Sequence, residues 1–172
     1  YPLGMQARVI RRCDRVITSS RETAREIHRA FGVSPRKIRM IYNGLDAEFF
    51  RPMNREAKKP QTLLFVGNTD DAKKGIDYLL QAMTLLPDFV TLTVVDDGAP
   101  LKTHTPQLAQ KLGLTSRVTF TGKISAEILR GFYNTSEVVV LPSLYEGFGL
   151  PAAEAMACGT PVVATRAGAL PE

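Results

Sequence analysis

The stretch Val138-Val139-Val140-Leu141, followed by Pro142-Ser143-Leu144-Tyr145-Glu146-Gly147-Phe148-Gly149-Leu150-Pro151-Ala152-Ala153-Glu154, changes character twice within a few residues. Its first four residues are apolar and mostly β-branched, which reads as a buried strand. Gly147 and Gly149 permit a tight turn and let a ligand approach the backbone closely. Pro151 suits the first turn of a helix, where its missing N–H is not needed. The unpaired N–H groups at such a helix start attract anions. A carboxylate stands near each end of the turn, Glu146 in the loop and Glu154 in the helix. A phosphate over the turn, with hydroxyl groups on either side, fits that pattern, and a sugar nucleotide has this layout.

Outward from this segment, strands and helices alternate. Apolar runs at Leu63–Val66, Thr91–Val95, Val118–Phe120 and Pro161–Ala164 predict further strands. Lys74–Leu86 predicts an amphipathic helix with Ile76, Leu79, Leu80 and Met83 on one face. Leu108–Leu112, Ala126–Tyr133 and the residues after Pro151 predict three more helices. Upstream, Ala7–Arg12 reads as the end of a helix, Arg15–Thr18 as a strand and Glu22–Phe31 as a helix capped by Ser19 or Ser20 and stopped at Gly32. Ile38–Tyr42 reads as another strand. The alternation predicts an α/β fold, a Rossmann-like parallel sheet with helices on both faces. The expected strand order of the second block is 3-2-1-4-5, with ligand at the carboxyl ends of the strands near the switch point. The expected blocks are 1–46, a polar, proline-bearing linker at 47–60, and 61–172.

Three other readings of the central motif compete. Ser143-x-x-Glu146 matches a helix capping box, but Gly147, Gly149 and Pro151 make a poor helix interior. Two glutamates could form a glycosidase pair flanking one scissile bond; one in the loop and one in the helix suit two separate contacts better. Gly147-x-Gly149-x-x-Ala152 fits a dinucleotide fingerprint, but that motif belongs after a first strand and needs an acid about 20 residues on. Arg166–Leu170 offers none.

The segment Val138–Thr165 closely resembles the signature of the retaining GT-B glycosyltransferases of family 4. The matching pattern is Glu-x7-Glu, Glu146 to Glu154, followed by Ala155-Met156-Ala157-Cys158-Gly159-Thr160-Pro161-Val162-Val163-Ala164-Thr165. The resemblance extends upstream. Cys13–Ser20 looks like the last strand of the family's N-terminal domain. Ile41–Asp46, with Phe49 or Phe50 and Pro52, looks like its crossover between domains, and Gln61 onward like its donor-binding C-terminal domain. On this resemblance residues 1–46 would be the end of an N-terminal domain and its crossover. The chain would be a fragment, truncated at its end, whose missing half carries the acceptor site.

The same resemblance implies roles. Glu146 would contact hydroxyls of the transferred sugar, and Glu154 would hold the ribose hydroxyls. Backbone N–H groups of Phe148, Gly149 and Leu150, in the turn opened by Gly147, would meet the diphosphate and sugar. In Gly67-Asn68-Thr69-Asp70-Asp71-Ala72-Lys73-Lys74-Gly75, Lys74 aligns with the family's diphosphate-binding lysine. Read from the residues alone, that loop is as well explained by a solvated turn. Asn68 stands where the family usually has arginine, which removes a bidentate phosphate fork; Lys73 could substitute for its charge. Asp96 stands where the family often has glycine. Main-chain atoms around Gly122, Lys123 and Ile124 would read the edge of the base, while Phe120 reads as core. The implied activity is hexosyl transfer from a UDP-, GDP- or ADP-linked sugar, with no metal and no cofactor beyond this co-substrate. The acceptor would be a hydroxyl of a glycan, a lipid-linked sugar or a small molecule, as in polysaccharide biosynthesis. A sugar-nucleotide epimerase or hydrolase, which would release free sugar without acceptor, and a non-catalytic nucleotide-binding module are the alternatives.

The chain has 172 residues, a net charge of +5 and only two cysteines, Cys13 and Cys158. It can bury a real core, and no apolar run approaches the ~20 residues that cross a bilayer. Too few cysteines for a disulfide framework and no secretory signal pattern lead to the expectation of a cytoplasmic protein. Asp70-Asp71 and Asp96-Asp97 read as solvated loop pairs, not metal ligands, and His28 and His104 as ordinary surface or helix residues. Arg8, Arg11, Arg12, Arg15, Arg21, Arg25, Arg29, Arg36 and Arg39 supply much of the positive charge. A solvated helix face balanced by Glu22 and Glu26 is the favoured reading. Peripheral contact with the anionic inner face of a membrane is the functional alternative. No nucleic-acid recognition motif is present.

Overall fold

The computed structural model describes residues 3–53, 57–96 and 104–172. Asp97, Gly98 and residues 54–56 of the expected linker lie outside them. The chain divides into two compact units.

The first unit comprises residues 1–44, 145–149 and 166–172. It contains α1 (Leu3–Arg12), β1 (Val16–Thr18), α2 (Arg21–Phe31) and β2 (Ile38–Met40), with β1 and β2 paired in parallel. Ser20 caps α2 by accepting from Thr23 N at 3.1 Å, and Gly32 ends it in a left-handed turn. Glu22 pairs with Arg25 at 3.1 Å and lies 4.0 Å from Arg29. The Glu26 carboxylate accepts from the Tyr145 hydroxyl at 2.6 Å. All nine arginines named above are exposed.

The second unit comprises residues 45–144 and 150–165. Its strands are β3 (Lys59–Val66), β4 (Thr91–Val95), β5 (Val118–Gly122), β6 (Ser136–Leu141) and β7 (Val162–Ala164). Its helices are α3 (Ile76–Met83), α4 (His104–Lys111), α5 (Ala126–Thr135) and α6 (Leu150–Ala157). The sheet is parallel throughout, in the order β5-β4-β3-β6-β7. This is the expected 3-2-1-4-5 order, with the switch point between β3 and β6.

Side chains of a strand alternate between faces, and the core divides accordingly. Phe65, Leu92, Val94 and Val118 pack with Ile76, Leu79, Leu80 and Met83 of α3 and Ala109 of α4. Leu64, Val66, Val95, Val139 and Leu141 pack with Tyr133 of α5 and Ala155 of α6 on the other face. Helices therefore cover both faces of the central strands, and Leu63–Val66 and Val138–Leu141 read as apolar runs because little of either face meets water there; the edge strand β7 keeps Val163 exposed.

Among the boundaries that differ from the sequence reading are the starts of α3 and β3. The helix expected from Lys74 starts instead at Ile76, because Gly75 sits at φ +69° after a 3-10 turn over Ala72–Lys74. β3 begins at Lys59, inside the expected linker. Lys59 pairs with Ser136, and the register then shifts before Leu63, where Gln61 takes a φ of +62°. Pro60 is tolerated at that irregularity, where a strand N–H is dispensable.

Cys158 is 2% exposed within the second cluster, and burial pushes its thiol up. Cys13 is only partly covered. Alkylation follows thiolate content and access. Iodoacetamide is expected to label Cys13 and spare Cys158 in the native protein, as read by peptide mass spectrometry. Equal labelling would contradict a closed cluster beneath α6.

Candidate active site

In the second unit, the loops after β3 and β6 meet at the switch point. Val66 ends β3, and Gly67 donates its N–H to Val95 O at 3.0 Å. The Asn68 side-chain oxygen accepts from Asp70 N at 2.8 Å and shapes the turn. Asp71 caps the following 3-10 turn by accepting from Lys73 N at 3.0 Å. Lys73 is exposed, and its carbonyl accepts from Leu144 N at 2.7 Å. Lys74 is half-buried and lays its aliphatic stem over Gly67, where an added Cβ would stand 3.6 Å from its Cδ. Gly75 lies so close to the β6 loop that a Cβ would stand 2.1 Å from Pro142 O.

Asp96, at the end of β4, is 4% exposed and accepts from the hydroxyl and N–H of Thr69. Asp96 thus braces the β3 loop. On the β5 side, the register shifts between Val94 and Val95, and Gly122 comes opposite Val95. Gly122 takes φ +66°, Lys123 is exposed, and Ile124 packs its side chain on the second cluster. Ser125 then caps α5, accepting from Ile128 N at 3.4 Å. The backbone of Gly122–Ile124 is thereby fixed at both ends. Phe120 packs against the first cluster.

α6 starts at Leu150 and carries Glu154, which is partly exposed. The Tyr133 hydroxyl donates to Glu154 Oε2 at 2.7 Å. Burial, and next the charge of Glu154, push the Tyr133 phenol far above its usual range, so it remains a donor. Thr165 braces the β6 loop by donating its hydroxyl to Ser143 O and its N–H to Leu141 O.

In the first unit, Glu146, Gly147, Phe148 and Gly149 form one segment. Glu146 O accepts from Ala169 N at 2.8 Å, and a Cβ on Gly168 would stand 2.1 Å from that same oxygen. Ser19 donates to Gly147 O at 3.4 Å, and the Tyr42 and Phe148 rings lie 6.1 Å apart. The hydrogen bond from its neighbour Tyr145 to Glu26, more than burial, raises the Tyr145 phenol.

The structure brings Gly67, Asn68, Lys73 and Lys74 onto the loop after β3 and Leu150 and Glu154 onto α6, with Gly122 at the end of β5 and Lys123 and Ile124 after it. It sets Glu146, Gly147, Phe148 and Gly149 on the other unit. Thr69, Tyr133 and Gly168 were not singled out by the sequence. Gly168 is marked only as a glycine in the loop four residues past β7, where it takes φ +56°, and nothing local marks the other two. His104 is paired with Asp77 at 3.1 Å on the surface. Among the described residues, no three of His, Cys, Asp and Glu gather as metal ligands, and no helix is long and apolar enough to cross a membrane.

Residues 60–172 match the family model described as Glycosyl transferases group 1, and residues 1–49 match Glycosyltransferase Family 4. The chain is 37% identical to an MMP alpha-(1->4)-mannosyltransferase of Mycolicibacterium hassiacum, over 98% of its own length and 41% of that protein's. It is 33% identical to a D-inositol 3-phosphate glycosyltransferase of Mycobacterium tuberculosis, over 96% of this chain and 37% of the relative. The chain thus spans about two fifths of the length of these relatives. The sucrose-phosphate synthase of Thermosynechococcus elongatus superposes with a TM-score of 0.83 at 35% identity, covering 98% of this chain and 44% of that one. Anabaena Alr3699/HepE in complex with UDP and glucose gives 0.82 at 26% identity, over 97% and 48%. These matches agree with the strand order and with the motif on α6, and the chain belongs to the group 1 glycosyltransferases of family 4, which share the GT-B fold.

Proposed function

We propose that the protein transfers a hexose from a nucleotide-sugar donor to an acceptor hydroxyl, with retention of configuration and without a metal ion. The observation that carries this reading is the meeting of the β3 and β6 loops at the switch point. It places Lys74 over Gly67 on the loop that contacts the approach to α6, the helix that bears Glu154. Ligands of open α/β sheets bind at such a point. A relative of the same fold holds UDP and glucose.

In this reading the charge on the leaving diphosphate is stabilised by Lys74 and the start of α6, and the N–H groups of Phe148, Gly149 and Leu150 meet the diphosphate and sugar. Lys73 adds a second, solvated cation in place of the arginine that Asn68 displaces. Glu154 accepts from the ribose hydroxyls, Glu146 orients the sugar, and the backbone at Gly122–Ile124 reads the base. The acceptor is a glycan, lipid-linked or small-molecule hydroxyl, and the exposed arginines of α1 and α2 support peripheral contact with an anionic membrane.

Calorimetric titration with UDP, GDP and ADP, with and without EDTA, tests the proposal. One nucleotide is expected to bind saturably and without regard to EDTA, and Glu154→Ala is expected to weaken it at least about tenfold, the worth of hydrogen bonds to a charged group. Loss of binding in EDTA would overturn metal independence. No binding to folded protein would overturn the donor site. The anomeric configuration of the product, read by NMR, decides retention.

A further inference from the structure

Tyr133 is fully buried, with 0% exposure, yet its one polar atom faces a functional residue. Its hydroxyl donates to Glu154 Oε2 at 2.7 Å. The rest of the residue is held from several directions. Its carbonyl accepts from Lys58 Nζ at 3.0 Å and from the Thr160 hydroxyl. Its ring meets that of Phe50 edge-on, with centroids 6.1 Å apart. The next residue, Asn134, accepts from Met53 N at 2.8 Å and donates to Arg51 O and Arg130 O. A phenol clamped in this way has one position for its O–H. A carboxylate offers two oxygens on a side chain that otherwise rotates.

We infer that Tyr133 is a positioning residue for Glu154: it occupies one carboxylate oxygen, fixes the plane of the group, and leaves the other oxygen aimed at a ribose hydroxyl, so that it sets the preference for ribose over deoxyribose in the donor. The inference rests on the ribose role proposed for Glu154. Its physical basis is pre-organisation. A carboxylate already held in its bound geometry gives up less rotamer freedom when the hydroxyl arrives. A site built to hydrogen-bond a hydroxyl discriminates strongly against the analogue that lacks it, because a partly buried polar atom is then left unpaired.

The test compares Kd values for UDP, GDP and ADP with those for their 2′-deoxy and 3′-deoxy counterparts, in the wild type, Tyr133→Phe and Glu154→Gln. Phenylalanine keeps the ring and its packing, and thermal unfolding verifies that each variant is folded. Wild type is expected to prefer the ribonucleotide that it binds by about tenfold or more. Tyr133→Phe is expected to lose most of that ratio while binding the deoxy analogues as before. A purely structural tyrosine would weaken both classes equally, and that result would overturn the inference. A ratio kept in Tyr133→Phe but lost in Glu154→Gln would overturn the role of Tyr133 alone. A wild type without preference, or a ratio kept in both variants, would overturn the ribose role of Glu154 and the inference with it. Binding of none of the three nucleotides would overturn the donor site itself.

Discussion

Gly75→Ala is expected to destabilise the protein by about 3 kcal/mol or more and to abolish nucleotide binding. The new Cβ would stand 2.1 Å from Pro142 O and 2.9 Å from its carbonyl carbon. Both atoms are backbone, so neither can rotate away. The residue also holds φ +69°, a conformation costly to a side chain. Strain of about 1–3 kcal/mol for the conformation adds to about 1–3 kcal/mol for the overlap. The strain is relieved only by parting the β3 loop from the β6 loop, which would break the bond from Leu144 N to Lys73 O. That movement displaces Lys74, so binding fails together with stability. Gly113→Ala is the control: it has φ +72° but nothing within 4 Å of its Cβ. It should show the conformational cost alone, about 1 kcal/mol. Thermal unfolding reads both, at about 2–4 °C per kcal/mol for a chain of this size. Equal losses in the two variants would show that the close approach to Pro142 does not matter.

Lys74→Ala is expected to lower kcat for sugar transfer by about 10²–10³, the worth of one preorganised group at a developing charge, about 2.7–4 kcal/mol. Its stem lies against Gly67 and is half-buried, so the ammonium leaves the chain from a defined base. Lys73 is exposed, and the structure fixes its backbone, not its side chain. Lys73→Ala should therefore cost much less, within the range of about 0–1 kcal/mol of exposed charge interactions. Lys74→Arg should recover only part of the rate, since a planar guanidinium does not replace a compact ammonium. Steady-state kinetics with the sugar conjugate of the nucleotide found by titration decides the matter. A large loss at Lys73 with none at Lys74 would exchange the two assignments.

The central strands could be read because the parallel sheet covers both of their faces, leaving runs such as Leu63–Val66 and Val138–Leu141 that no solvated segment imitates. The face of α3 could be read because Ile76, Leu79, Leu80 and Met83 recur at helical spacing. The start of that helix could not, since whether Gly75 begins a helix or interrupts one depends on Pro142, brought beside it by β6. The start of β3 was missed for a similar reason. Lys59 and Pro60 look like linker, and only Ser136 across the sheet makes them strand.

The sequence by itself determined the order of elements, the class of sheet and the segment around Glu146 and Glu154. Those follow from periodicity and from residue types within a few positions of one another. Only the tertiary structure decided that Asp96 braces Thr69 from 27 residues away, and that Glu154 takes the hydroxyl of Tyr133 across 21 residues. A hydrogen bond over such a separation leaves no periodic trace in the chain. Thr69 and Asp96 meet because the loops after neighbouring parallel strands open at one rim, and Tyr133 and Glu154 meet because α5 and α6 pack on the same face of the sheet.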